Sequence, residues 1–487
     1  MKWFRSIVSC VVALPLWTAS ALASPQEEDG AKEEAQLAEA PLDEAPPSGD
    51  ESAPELGPGT DAPMDAALEP ASGGATENTD WLRHRVDLLD ELTFVRDGTS
   101  LFNPGGSLYS NDRRHNSLRL NGEFSAQLPQ GMTIKTQVTS ALSTGRETVA
   151  MFSIRELYGT ASLGDFELSV GRKILRWTNG YAFTPAGLLE PVRNPSDPQD
   201  RLRMLEGLEM AQLDYFRGDH VYTAVFSTNA LFRTPEQGQR FDLAMRGNFL
   251  FNALNLDIAF EALVSNVKNI GAMTASYVFG DALELHGEIA GNRGSSVVYP
   301  RSILPGNQES LFGADYLGQL KLNETRLFLR YLVGVNYTLP WGTNLIGEYY
   351  RSDEGLSVQE WERFLAQANF SRDQLATGQH PPVFQGRSLP ALDLLQGLQV
   401  LSRQSIRRNY LFLRAADSWL SEQLAASALI LVSMDDRSMV AVGDVSYLLR
   451  KGATLYARGT YITGSGTSEF ANLGRRASLN AGVVLSF

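Results

Sequence analysis

The residue types that most often carry chemistry are few here. There are five histidines, His84, His115, His220, His286 and His380, and one cysteine, Cys10. No two histidines stand at a spacing that would chelate a metal, and a single thiol builds no cluster. The densest group is Glu284-x-His286-x-Glu288, three ionisable side chains on one face of an extended segment. Such a face holds a cation or forms a wet polar wall. His115 and Ser117 are the one pair from which a hydrolase would be assembled, but nearness in sequence is not geometry. No nucleophile elbow, phosphate loop or dinucleotide fingerprint occurs in a supporting context. The expectation is no catalytic residue, no metal and no cofactor.

What recurs instead is charge at alternate positions. Asn116–Leu128 places Leu118, Leu120, Phe124, Ala126 and Leu128 on one side and Arg119, Asn121 and Glu123 on the other. After Pro129-Gln130-Gly131 the pattern resumes with Ile134 and Val138 against Lys135 and Gln137. It returns in 254–264, 282–292, 326–338 and 453–463. A period of two signals strands with one apolar face. The runs reach about ten residues, the length a tilted strand needs to cross hydrocarbon. Short connections such as Gly164-Asp165, Gly218-Asp219, Gly280-Asp281 and Lys451-Gly452 alternate with long ones at 177–206, 229–240, 293–325 and 353–406. Trp341 and Trp419 fall in short turns, where an interfacial aromatic belt is expected.

These features predict an all-β fold, a transmembrane antiparallel barrel of 16–18 strands. The lower count applies if 85–97, whose alternation is spoiled by Leu88-Leu89 and Asp90-Glu91, is a helix. By parity the polar faces place Arg119, Glu123, Lys135, Glu156, Glu167, Lys173, Arg246, Asp257, Glu261, Glu284, His286, Glu288, Arg330, Glu348 and Arg458 in the lumen, together with Asp242 and Asp444. Acids outnumber bases there, which leans toward cations or neutral solutes. Pairing across neighbouring strands is the plainer role for most of them, and a bulge would flip part of the set.

The remaining chain divides by composition. Residues 1–23 read as a signal peptide: Lys2 and Arg5, an apolar run from Ile7 to Trp17, then Ala21-Leu22-Ala23. Residues 24–79 hold fifteen Asp/Glu against the one base Lys32, and eight of the 22 prolines. Such a segment buries too little apolar surface to fold and is expected to be a disordered periplasmic spacer. It carries −14, the net charge of the whole chain, so residues 80–487, the expected outer-membrane barrel, are close to neutral. The mean hydropathy of −0.17 describes this mixture and not a soluble body.

One stretch is distinctive. Gly171-Arg172-Lys173-Ile174-Leu175-Arg176-Trp177-Thr178-Asn179-Gly180 leads into Tyr181, Phe183 and Pro185, then Glu190-Pro191 and Asn194-Pro195-Ser196-Asp197-Pro198. It resembles the strand–loop–strand signature of porin-like barrels that include the alginate-export group. Trp177 and Gly180 match, and Thr178 stands where that group carries glycine. The resemblance implies an outer-membrane channel, though a polyanion exporter calls for a lumen richer in Arg and Lys. Within the loop, Arg176, Trp177, Glu190, Arg193, Asp197, Arg201 and Arg203 are candidates for a constriction; an outer loop braced by those same charges is the equal alternative. Loop 353–406 has two helix-like stretches, one with Trp361, Phe364, Leu365 and Phe370, the other with Leu389, Leu392, Leu395, Leu398 and Leu401. They form a lumen plug or pack against each other above the barrel.

The final strand alternates Leu479, Ala481, Val483, Leu485 and Phe487 with small or polar residues. It resembles the signal read by the outer-membrane barrel-assembly machinery, with Leu485 and Phe487 as its carriers. The expected partners are outer-membrane lipid, that machinery and a hydrophilic solute, with no nucleic acid. The expected function is passive passage of small or oligomeric hydrophilic solutes in a Gram-negative outer membrane. A non-conducting barrel working through its surface loops, as a scaffold or an enzyme, is the alternative.

Overall fold

A computed structural model describes residues 81–487 apart from 110–112, 146–147, 230–239, 267, 296–298, 301–319, 322–324, 385 and 403–404. The signal-peptide and acidic-tail expectations lie outside the described residues. Among these, eighteen strands form one antiparallel sheet. They are β1 (Leu82–Asp97), β2 (Arg114–Leu128), β3 (Met132–Thr144), β4 (Thr148–Leu163), β5 (Phe166–Lys173), β6 (Leu208–Arg217), β7 (His220–Thr228), β8 (Phe241–Phe251), β9 (Leu256–Ser265), β10 (Asn269–Phe279), β11 (Leu283–Arg293), β12 (Leu327–Thr338), β13 (Asn344–Ser352), β14 (Asn409–Trp419), β15 (Leu424–Ser433), β16 (Met439–Arg450), β17 (Ala453–Thr463) and β18 (Arg475–Ser486). The sheet closes because β1 pairs with both β2 and β18, with Leu88 opposite Leu120 on one side and Leu485 on the other. Closure leaves no free edge to aggregate.

The segment 85–97 is therefore a strand, and the reason for its irregular pattern is visible. Its odd residues Asp87, Leu89, Glu91, Thr93 and Val95 all face inward and are buried. Leu89, apolar between the inward acids Asp87 and Glu91, packs on Leu202 inside the barrel. In the other strands the alternation holds: Val333, Phe260 and Leu479 are 62%, 54% and 52% exposed on the outside, whereas Leu332, Glu261 and Asn480 beside them are buried. Two two-residue turns and one three-residue turn carry glycine first, at Gly164, Gly218 and Gly280, with φ of 61°, 59° and 58°. That left-handed conformation suits a tight hairpin and is open to glycine at no steric cost.

One register break matters for the interior. Gln137 faces Glu156 and Val138 faces Ile154, so Arg155 is an extra residue in β4. The bulge turns both Arg155 and Glu156 inward, where both are buried.

At the end opposite the short turns, the connections build a cap with its own apolar core. Helix α1 (Val358–Thr377) starts at a capping box, with Glu360 N–H donating to the Ser357 hydroxyl and the Glu360 carboxylate returning to Ser357. Helix α2 (Leu389–Leu401) packs against it. Phe102, Tyr109, Leu356, Trp361, Phe364, Leu394 and Leu398 fill the contact, and Phe102 stacks on Phe364 at 5.1 Å. The two stretches expected to be helical are so, with Phe370 turned outward at 37% exposure. Trp361 Nε1 donates to Thr467 O at 2.8 Å, tying α1 to the β17–β18 connection.

Glu469, in that connection, is buried, accepts from Ile406 N at 3.2 Å and from the Tyr410 hydroxyl, and its own N–H donates to Asp436. Burial first, then the nearby Asp436, pushes its carboxyl up from 4.5 to about 8. A folded-state pKa above the unfolded one means that the stabilising contribution is complete at pH 4.5 and below, and is lost as pH rises through about 8. The cap is thus expected to melt at progressively lower temperature between pH 5 and about 9, followed by Trp361 fluorescence. Glu469→Gln, which keeps an acceptor for Tyr410, should remove that slope.

Candidate functional site: the lumen and its inward loop

The segment 174–207 joins β5 to β6 and folds inside the barrel. It is held by apolar contacts at three places. Leu175, Trp177, Leu188 and Leu189 pack on Met210, Val225, Ala244, Leu263, Ile270 and Ala290 of the β6–β11 wall. Ala182 and Phe183 pack among Leu332, Ile346, Tyr350, Tyr410, Phe412 and Leu429 of the β12–β15 wall. Phe183 stacks on Tyr350 with ring centroids 4.4 Å apart. Leu202 meets Leu89, Tyr456 and Val484. The inward face from β12 to β17 is thus largely apolar and covered, and the β2–β11 side is polar apart from the patch under Leu175, Trp177, Leu188 and Leu189.

A chain segment buried this way must find partners for its backbone N–H and C=O groups. The wall supplies them. Glu288 accepts from Gly180 N at 2.6 Å and Ala186 N at 3.1 Å. Glu348 accepts from Tyr181 N and, at 2.9 Å, from Ala182 N. Glu156 accepts from Ile174 N at 2.9 Å. Arg155 donates to Leu205 O at 3.0 Å and to Asp200 at 2.9 Å.

Of the seven constriction candidates, most hold the loop in shape. Glu190 accepts from Thr178 N at 2.8 Å and from Trp177 N, and Arg193 bridges Glu190 at 3.1 Å and Gly180 O at 2.8 Å. Asp197 receives Arg458 of β17 at 2.9 Å and lies 3.6 Å from Arg201, which in turn reaches Asp444 of β16. Arg203 pairs with Asp87 of β1 at 3.1 Å. Trp177 is buried, with the Arg246 guanidinium 6.0 Å from its ring. Arg176 is exposed.

The fifteen wall candidates all lie on inward faces, but they do not form one array. Lys135 sits 3.3 Å from Glu123 and 3.7 Å from Glu156. Arg246 is 3.5 Å from Glu261, and Arg330 is 4.0 Å from Glu354. Glu284 accepts from Asn336, and His286 contacts Glu348 at 3.2 Å. Arg119 reaches the Met204 sulfur at 3.3 Å. Lys173 donates to Gln212 at 3.0 Å. Glu167 and Asp257 are half-buried on β5 and β9.

Under Trp177 a cavity of about 210 Å³ opens against β5–β8, lined by Lys173, Arg176, Gln212, Asp214, Arg246 and Asn248 among others. Asp214 is spent on its neighbours, accepting from Gln212 at 2.6 Å and from Thr223. The donors at this cavity are mainly cationic. Ser117 is buried and accepts from Arg119 at 3.3 Å, so its hydroxyl is engaged by a base that takes no proton. Among the described residues no group of three His, Cys, Asp or Glu is placed to hold a metal, and no helix is long and apolar enough to cross a membrane.

No family model and no curated protein matches the chain. Solved structures similar to it are barrels. Acinetobacter baumannii OccAB1 has 10% identity and a TM-score of 0.49, covering 83% of this chain and 96% of that one. Pseudomonas aeruginosa OccK11 (OpdR) has 12% identity and a TM-score of 0.47, over 83% and 96%. Salmonella typhi OmpF has 9% identity and a TM-score of 0.40, over 83% and 97%. Identities of this order carry no functional residue from one chain to another.

Two groups are not among the sequence candidates. Arg155 is absent from the residues that parity places inward, and the bulge is what brings it in. The Phe183–Tyr350–Tyr410 stack shows in sequence as aromatics at inward positions of β13 and β14, a signal that had weight only once the loop was known to enter. The Asp197–Arg458–Asp444–Arg201 knot offers a test. Removing one partner strands buried charge, so Arg458→Ala should cost about 3–5 kcal/mol in urea unfolding of the reconstituted protein. Adding Asp197→Asn to that variant should recover part of the loss.

Proposed function

We propose that the chain is a porin-like outer-membrane channel for small hydrophilic solutes, with segment 174–207 as its constriction. The observation that carries this reading is the inverted barrel: large apolar side chains such as Val333, Phe260 and Leu479 exposed outside, and carboxylates and guanidinium groups buried inside. Such an exterior is a cost in water and a requirement in lipid. The capped end, with the long connections, then faces outward and the short turns face the periplasm. Phe487 closes the β1 edge by exchanging backbone hydrogen bonds with Val86 at 3.1 and 2.9 Å, consistent with a role for the last strand in assembly.

The solute path in this reading is eccentric. It follows the β2–β9 wall past the cavity under Trp177, because the opposite wall is apolar and occupied. Selectivity follows from which charges face the path. Several inward acids hold loop N–H groups or pair with bases, while Lys173, Arg176 and Arg246 face the cavity against the one acid Asp214. A modest preference for anions results, against the lean that counting suggests. Export of a polyanionic polymer such as alginate fits this poorly, since most inward bases are tied to neighbouring acids.

Purified protein in planar bilayers should give stepwise conductance, and silence at high protein load would sink the channel reading. Lys173→Glu with Arg176→Glu should move the reversal potential in a salt gradient toward the cation value. Shortening the loop between Thr178 and Arg201 should raise unit conductance about two-fold or more, in line with a wider aqueous lumen.

A further inference from the structure

Three residues stand in one row across neighbouring strands. His286 of β11 is opposite Gly334 of β12, and Gly334 is opposite Glu348 of β13. The His286 ring lies across the glycine. A Cβ placed on Gly334 would sit 2.1 Å from His286 Nε2, 2.6 Å from Cε1 and 2.8 Å from Cδ2. By crossing that gap the imidazole reaches over a whole strand and places Nε2 3.2 Å from Glu348 Oε1. The same carboxylate accepts the N–H groups of Tyr181 and Ala182 at the loop tip. All three wall residues are buried.

We propose that His286, seated on Gly334, is a positioning residue for the loop: it fixes the Glu348 carboxylate in the orientation that receives the two amides and so sets where the tip stands in the lumen. The inference rests on the reading of the loop as the constriction and adds to it the element that sets the aperture. The geometry requires the imidazole to present N–H at Nε2, since the carboxylate it faces is an acceptor. A hydrogen bond to a carboxylate from a group with one fixed approach restricts its rotation, as outer partners do for metal ligands. Glu288, two residues along β11, holds Gly180 and Ala186 independently, so the tip has two anchors of which only one passes through His286. That separation gives the test its internal control.

The experiment is amide hydrogen exchange of the full chain in detergent or lipid, with unit conductance measured in parallel. His286→Phe keeps a ring over Gly334 but has no donor. His286→Gln keeps a donor at nearly the same reach. Gly334→Ala leaves every polar group in place and unseats the ring. In His286→Phe and Gly334→Ala the amides of Tyr181 and Ala182 should exchange on the order of tenfold faster, the effect of losing one charge-assisted hydrogen bond. Those of Gly180 and Ala186 should change less, and His286→Gln should stay near the native protein. Unit conductance should rise in the same two variants. Native-like exchange at 181–182 in both Gly334→Ala and His286→Phe overturns the proposal. So does His286→Gln behaving like His286→Phe, which would make the ring a packing element only. If His286→Phe does not fold, Gly334→Ala with His286→Gln decides the matter. A native protein that exchanges as expected but never conducts removes the channel reading and leaves the positioning role standing.

Discussion

The structure depends on a single requirement: a segment of about thirty residues laid inside a barrel must have its backbone polar groups satisfied where water is scarce. Carboxylates meet it. Glu156, Glu288 and Glu348 each direct oxygens at loop N–H groups, and Arg155 and Arg458 answer loop carbonyls at Leu205 and Ser196. A charged acceptor bonds an amide more strongly than a neutral one, and its own burial is tolerable because two or more donors converge on it. Removing the loop would leave these side chains as buried charges without partners. Wall and loop are therefore parts of one folding unit, and the loop is not an accessory on a finished barrel.

This explains why the inward charges resist a reading by count. Ten acids and six bases by parity suggest a negative lumen. Acid sits where the loop needs acceptors, at Glu156, Glu288 and Glu348, and bases outnumber acids where the cavity opens. Hydrogen bonds from neutral amides leave a carboxylate's charge in place. What a passing ion meets is set by which charges are ion-paired and which line the open path.

Much of the barrel was legible in the sequence because the strand period is two and each turn announces itself. Strand positions in β2, β3, β9, β11, β12 and β17 followed from alternation alone. Two kinds of fact were not legible. The first is a register event: Arg155 stands at an odd number in a strand whose lower half points even residues inward, and nothing in Ser153-Ile154-Arg155-Glu156 marks the extra residue. The second is the partner of an apolar inward residue. Leu332, Ile346, Tyr350, Phe412, Val440 and Val442 sit on inward faces, where alternation expects polar groups. They conform to the pattern by being apolar on both sides, as in a strand buried on both faces, and the residue that buries them, Phe183, lies more than 140 positions away from the nearest of them.

The apolar half of the interior also fixes how the barrel can work. A uniformly polar wall would let the loop lie anywhere along the circumference. Here Phe183 against Tyr350, and Leu332 and Ile346 beside it, hold the tip to one side by burial, while the hydrogen bonds of Glu288 and Glu348 set its height and orientation. Hydrophobic burial is non-directional and supplies most of the attraction; the carboxylates supply direction. The cap reinforces the same side, since Phe470 joins the apolar cluster from above and Tyr410 links that cluster to Glu469 in the cap. On the proposed reading, a passage through such a barrel is displaced from its axis, and His286, Glu288 and Glu348 on β11–β13 set its width by placing the loop tip.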